Sequence, residues 1–321
     1  IQREQFRRLG VFGDWDNPYL TLAPEYEKAV VEGFNKLAKG GFIYRGLKPI
    51  NWCAKCETAL AEAEVEYEDH ASPSIYVKFE TDFRSPNGTV IPFGERSKVS
   101  FLVWTTTPWT LVSNVAIAVH PDLNYVFSDV EGCGVLVIAE DLLEAVLKKL
   151  NRSAKVIKKL KGKELEGMAA KHPFINRASK IVLADYVSSE DGTGCVHIAP
   201  GHGQEDYEVG LRYKLPIVMP VDEKGRFKKI DSFEVPDSVI GKNILEANDI
   251  VLKILSDKKA LLISEKTEHS YPYCWRCHSP LLFRATKQWF LGVDKNGLRQ
   301  KTLNEIKSIK WVPDIGEKRI S

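Results

Sequence analysis

Two short stretches hold most of the residues that could do chemistry. Trp104-Thr-Thr-Thr-Pro-Trp-Thr-Leu-Val-Ser-Asn114 runs three threonines into a proline. Gly192-Thr-Gly-Cys-Val-His197-Ile-Ala-Pro-Gly-His202-Gly-Gln-Glu205-Asp206 puts two histidines and two acids around one glycine-rich turn. Hydroxyls and free backbone N–H groups at a strand end suit hydrogen bonding to a ribose or an ester carbonyl. Threonines also simply favour strands, and the first stretch can be read as a mere turn. His197 lies within an apolar run, so it faces either core or pocket. The nearness of His202, Glu205 and Asp206 favours a functional cluster. A metal-hydrolase reading, with His197, His202 and Asp206 as ligands, is weaker because H-x4-H is not a common ligand spacing.

A second constellation is built from cysteine. Cys53-Ala-Lys-Cys56-Glu-Thr-Ala-Leu60 and Cys274-Trp-Arg-Cys277-His-Ser-Pro-Leu281 form an internal near-repeat, each preceded by an aromatic residue (Trp52, Tyr273). One C-x-x-C could be a redox motif. Two matching ones fit the halves of a tetrahedral thiolate zinc site, closed to water and therefore structural. Some 217 residues separate Cys56 from Cys274. If all four bind one ion, the chain must build a whole domain and return beside its exit point. Loop-closure entropy grows only slowly with length, so such a clamp is feasible. Cys133 and Cys195 read as buried small hydrophobes.

These side chains need a scaffold. Alternation at Ile75, Val77 and Phe79 predicts a strand, as do apolar runs at 99–104, 115–119, 134–139, 181–184 and 195–199. Helical spacing predicts helices over 25–39, 139–150 and about 244–256, the first opened by Pro24 and closed by Gly40-Gly41. Strands at uneven intervals among a few helices predict a mixed α/β domain over about 73–263, more barrel-like than doubly wound. The basic run 148–163 reads as a solvated helix end and loop, with an RNA contact as the alternative.

Composition excludes little else. The 321 residues are 44% hydrophobic and 27% charged with a net charge of +2, which neither demands nor excludes a nucleic-acid partner. No apolar run is long enough to span a membrane, and the first residues are not a signal peptide. Starting at Ile1 suggests a piece of a longer protein, and the cysteine usage suggests a reducing, cytoplasmic setting.

The W-T-T-T-P-W-T-L-x-x-N and G-T-G-x-V-H-x-A-P-G-H-G-Q-E-D-Y stretches resemble the editing domain of isoleucyl-tRNA synthetases, class I aminoacyl-tRNA synthetases. Leu9 to Thr21, Cys53 to Tyr67 and Phe283 to Phe290 resemble the bordering catalytic domain, so the likeness covers essentially the whole chain. It departs from the family at Val112-Ser113, where Pro-Ala is common, and at Ile198, where Thr is usual. The valyl and leucyl branches carry related domains with a different threonine segment. Neither ATP motif of the class occurs, so aminoacyl-adenylate synthesis is expected to be absent.

The resemblance implies an editing domain over 73–263, inserted through a zinc-ribbon stem into a truncated Rossmann catalytic domain. The stem would occupy 51–72 and 264–290, and catalytic-domain segments 1–50 and 291–321. It implies hydrolysis of valine wrongly esterified to tRNA(Ile), with the valyl adenylate as a second candidate substrate. Thr106, Thr107, His197 and Asp206 would be catalytic. Trp104, Thr105, Asn114, His202 and Glu205 would bind substrate, and Cys53, Cys56, Cys274 and Cys277 would bind Zn²⁺. Asp206 would pair with the substrate's α-ammonium and His197 would help exclude isoleucine. Hydrolysis would need no metal. The partners would be the valine-bearing 3′ end of tRNA(Ile) and the rest of the synthetase chain, in a monomer. All this requires the threonine stretch and the His197–Asp206 turn to face each other across a valine-sized cavity. The alternatives are a zinc-stabilised tRNA-binding module without catalysis and a valyl- or leucyl-type editing domain.

Overall fold

Alternating and continuous apolar runs need a sheet with one or both faces covered, and the chain supplies it between two passes through the cysteine repeat. The computed structural model describes residues 1–81 and 98–321. Two units are distinct: Leu47–Thr286, and Ile1–Gly46 with Lys287–Ser321. The part of the expected editing domain at 82–97 lies outside the described residues.

In chain order come helices α1 (Gln2–Arg8) and α2 (Pro24–Lys39), then strands β1 (Ile43–Cys53), β2 (Thr58–Ala59) and β3 (Val65–Thr81). Next are β4 (Val99–Thr105), β5 (Ala116–Val119), β6 (Asn124–Val130), β7 (Gly134–Ala139) and helix α3 (Leu143–Leu150). Strands β8 (Ala154–Lys161), β9 (Ala169–Lys171), β10 (Ala178–Leu183) and β11 (Cys195–Ile198) precede helix α4 (Gln204–Arg212). Helix α5 (Ile244–Asp257), β12 (Leu261–Cys274), β13 (Leu282–Leu291), α6 (Leu298–Ser308) and α7 (Ile315–Ile320) finish the chain.

Ten strands of the larger unit form one mixed sheet in the order β8-β6-β7-β4-β11-β5-β10-β9, with β3 also on β4 and β12 on β3. Pairs β4·β7, β4·β11 and β5·β10 are parallel, and the rest antiparallel. The sheet curls: the Thr81 hydroxyl at the end of β3 donates to the Ala169 carbonyl of β9 at 2.8 Å, joining distant strands of the path. Curvature of this kind encloses a core, and Phe79, Phe101, Leu111, Ile117, Phe127 and Leu136 are fully buried. Strand β4 is buried on nearly its whole length, as a run without polar alternation requires.

Strand β12 pairs from end to end with the first part of β3, from Leu261↔Val77 to Cys274↔Val65. This ribbon explains how a long insertion closes: β3 leaves just after the first cysteine repeat, and β12 brings the second back alongside it. Helix α5 begins where expected, because Asn243 accepts the N–H groups of Leu245 and Glu246 at 2.9 Å and Glu246 answers to Asn243 N–H.

The basic run departs from its expected form. Its first residues end α3, Asn151 takes the left-handed conformation that closes the helix, and 154–161 form border strand β8 on β6 instead of a loop. Lysines diluted the strand signal because a sheet border needs charge, not apolar alternation.

In the smaller unit, α2 buries none of its residues: Val30 and Phe34 are 59% and 46% exposed. Tyr44 stacks on Phe290 with ring centres 5.2 Å apart. Among the described residues no helix is long and apolar enough to cross a membrane.

Candidate functional site

The two stretches meet because their strands are neighbours. Strand β11 lies between β4 and β5, with Val196 opposite Trp104 in parallel register and His197 opposite Ile117. Thr105 and His197 are both buried. Pro108 then stops β4 by opening a buried turn of 3₁₀ helix, Pro108–Ser113, where a proline N–H is not missed. That turn folds the chain back, putting Thr110 Oγ1 2.9 Å from His197 Nε2 and Ser113 Oγ 2.9 Å from His202 Nε2.

The hydroxyls form a connected row. Thr107 N–H donates to Thr105 Oγ1 at 3.1 Å, and the Thr105 and Thr107 hydroxyls are 3.3 Å apart. The Thr107 and Thr110 hydroxyls are also 3.3 Å apart, while Thr110 Oγ1–H donates to the Thr107 carbonyl at 2.7 Å. Burial lowers His197 to a pKa of about 4, so the ring is neutral near pH 7. Its Nδ1 is buried without a hydrogen-bond partner among the described residues.

His202 has both nitrogens engaged, Nε2 with Ser113 and Nδ1 with the Phe283 carbonyl at 3.2 Å. Trp109 packs edge-on against it at 4.7 Å. Burial holds it near pKa 4. It ties the turn to β13. Gly201 just before it has no room for a side chain, since a Cβ there would lie 2.2 Å from the Val218 carbonyl oxygen.

Asp206 sits in the first turn of α4 and accepts the Ala199 N–H at 2.8 Å and the Tyr186 hydroxyl at 3.3 Å. The residue keeps part of its surface while its carboxylate is enclosed, and burial outweighs both hydrogen bonds, raising its pKa to about 6. Glu205 is exposed. Asn114 is fully buried, donates to the Ala116 carbonyl at 2.8 Å and accepts the Ser179 hydroxyl at 2.5 Å, so its amide holds the segment together. Trp104, alternating with Thr105, donates Nε1–H to Ser74 at 2.9 Å and lines a separate cavity with Tyr76, Lys149 and Gly192.

Thr106 and Thr107 line a cavity of about 290 Å³ with His70, Trp109, Asn248 and Tyr271. His197, His202 and Asp206 are not among the residues lining it. The threonine stretch and the histidine turn are thus in direct hydrogen-bonded contact at Thr110 and Ser113, with the open side of the threonines elsewhere. Thr110, Ser113 and Tyr186 were missed from sequence. Thr110 had one available signal, its position three residues after Thr107 behind a proline.

The cysteines form a second centre. The four sulfurs of Cys53, Cys56, Cys274 and Cys277 lie within 4.8 Å of one another. The two repeats match in backbone as well as sequence. Glu57 and His278, each directly after its second cysteine, have φ of 51° and 47°. Leu60 N–H donates to the Asn51 carbonyl and Leu281 N–H to the Pro272 carbonyl, both at 2.9 Å. Four sulfur donors in two such knuckles fit a tetrahedral Zn²⁺.

A family model described as tRNA synthetases class I (I, L, M and V) matches residues 1–321. Isoleucine–tRNA ligase of Fervidobacterium pennivorans is 50% identical over all of this chain, and that of Kosmotoga olearia 52%. Isoleucine–tRNA ligase of Thermotoga maritima is also 52% identical. The chain spans about a third of the length of these relatives, 33% in each case. The solved crystal structure of GlLeuRS-CP1 aligns at 14% identity and a TM-score of 0.47, over 60% of this chain and 98% of that one.

Proposed function

The chain belongs to the class I tRNA synthetases, and from that premise we propose that its larger unit is an editing domain that hydrolyses the aminoacyl ester of Val-tRNA(Ile). The observation that carries the reading is the hydrogen-bonded contact of Thr110, in the turn that follows the threonine-bearing end of β4, with His197 of β11, a strand that runs on to a helix turn bearing an enclosed carboxylate. Valine is isoleucine less one methylene, and one methylene yields only about 1–3 kcal/mol of discrimination; this pair is the standard illustration of that limit. A second, smaller site that destroys the wrong product answers it.

In this role Asp206 pairs with the α-ammonium, a charge-assisted contact strengthened where water is excluded. Thr105, Thr106 and Thr107 hold the terminal ribose and the ester carbonyl, and His197 limits the side chain admitted. Asn114 and His202 act by supporting these elements, while Trp104 and Glu205 keep the role of outer substrate contacts. The same reading makes 1–50 and 291–321 catalytic-domain segments whose amphipathic helix α2 packs on the remainder of a longer synthetase. The stem is then 51–72 with 264–290, and the editing domain 73–263. The setting is cytoplasmic. Zn²⁺ held by Cys53, Cys56, Cys274 and Cys277 would supply no chemistry to hydrolysis, only a fixed base for the ribbon.

Deacylation assays with the two charged tRNAs test the proposal. Val-tRNA(Ile) should be hydrolysed, Ile-tRNA(Ile) spared, and Asp206→Ala inactive. Salt-sensitive tRNA binding without hydrolysis would establish a non-catalytic module instead. Preference for threonine esterified to valine tRNA would move the chain to the valyl type.

A further inference from the structure

We infer that Thr110 is a positioning residue: it fixes His197 with its proton on Nε2, leaving Nδ1 as a bare hydrogen-bond acceptor in the candidate site. The inference rests on the editing reading for its functional consequence, but the proton's location follows from hydrogen-bond bookkeeping alone. A hydroxyl has one proton, and a carbonyl oxygen can only accept. The Thr110 hydroxyl is 2.7 Å from the Thr107 carbonyl, so its proton is committed there. Toward His197, 2.9 Å away, Thr110 Oγ1 can then offer only a lone pair. The imidazole must supply the proton, from Nε2. The opposite arrangement would set two acceptors against each other at the carbonyl contact.

The second observation is the other ring nitrogen. Nδ1 is buried and has no partner among the described residues. An unmet buried acceptor destabilises the fold, and such groups in folded proteins call for an explanation. His202, five residues on, shows the contrast: both its nitrogens are satisfied, so it has nothing left to offer a ligand. His197 offers a lone pair, which accepts from an O–H or N–H and rejects a carbonyl. The donors present in the proposed reaction are the attacking water, the α-ammonium and the free hydroxyl of the terminal ribose. Burial keeps the ring neutral, so the lone pair is retained near neutral pH.

The experiment is histidine side-chain ¹⁵N NMR on the protein, whose long-range ¹⁵N–¹H correlations distinguish the two neutral tautomers. Deacylation is measured on the same samples. In the wild type and in Thr110→Ser, His197 should show a protonated Nε2 and an unprotonated Nδ1. Thr110→Val, or Thr110→Ala if the valine variant does not fold, should move the proton partly or wholly to Nδ1. Deacylation should fall at least tenfold and return in Thr110→Ser. If water is the donor to Nδ1 the loss lies in kcat; if the ammonium is, it lies in KM. A proton on Nδ1 in the wild type, or an unchanged tautomer in Thr110→Val, overturns the inference. So does a changed tautomer with unchanged deacylation. Absence of deacylation by the wild type would refute the editing reading, and the NMR result would still decide the tautomer.

Discussion

Asp206 should weaken the fold it serves. Its pKa rises from 3.8 to about 6, with burial as the largest cause. Each pKa unit is about 1.36 kcal/mol of preference for one protonation state, so about two units amount to roughly 3 kcal/mol. This is an upper figure, since part of the residue meets solvent, which screens it. The sign follows from linkage: the folded state binds this proton more tightly than the unfolded state, so stability from this group declines as pH rises from about 4 to above 6. Asn imitates the protonated acid and can still accept the Ala199 N–H. Asp206→Asn should therefore be more stable than the wild type by up to about 3 kcal/mol near pH 8, and by roughly half that near pH 5. The assay is urea unfolding of both proteins across that range, paired with deacylation, which the variant should lose. A variant no more stable than wild type at pH 8, or a gap independent of pH, would refute the reasoning.

Other outcomes follow from the same geometry. His172, His197 and His202 have folded pKa values of about 3, 4 and 4, below the ordinary 6.5. Their contribution is present above pH 6.5 and lost as pH falls toward 4; the three rings take up about three protons on unfolding in that window while Asp206 releases about one, so the pH dependence of urea unfolding should report a net uptake of about two. Metal analysis should find about one zinc per chain, and Cys274→Ser should abolish it and lower the thermal midpoint. Asn114→Ala should cost about 2–4 kcal/mol in urea unfolding, because it leaves the Ala116 carbonyl and the Ser179 hydroxyl unmet. His197→Ala should let Ile-tRNA(Ile) be deacylated, and unchanged discrimination would remove its role.

What the sequence made legible were features with a local cause. The strand at 99–104 reads directly from its apolar run, and α5 from its periodicity. The cysteine repeat is visible as a repeat, and its matching positive-φ residues show that the likeness extends to the backbone. The row of hydroxyls is different. Thr105 and Thr107 are visible as threonines, but the link to His197 runs through Thr110, and only the 3₁₀ turn after Pro108 brings it there. Trp104 and Thr105 are neighbours in sequence yet occupy opposite faces of β4, an alternation that a motif does not display. Asp206 shows its acid in sequence but not its enclosure, which depends on Tyr186 from another segment. Strands β8 and β12 escaped for a related reason: their charged residues are tolerated by a border and a ribbon, and pairing there is decided by partners far along the chain.

Strand β8 lies at one end of the sheet path and carries Lys155, Lys158, Lys159 and Lys161. An open row of backbone donors and acceptors is a template on which another chain can grow. Two copies approaching there would bring their cationic fringes together before any peptide group could pair. While ribosomes release many copies close together, mutual repulsion would guard the unfinished sheet from its own siblings.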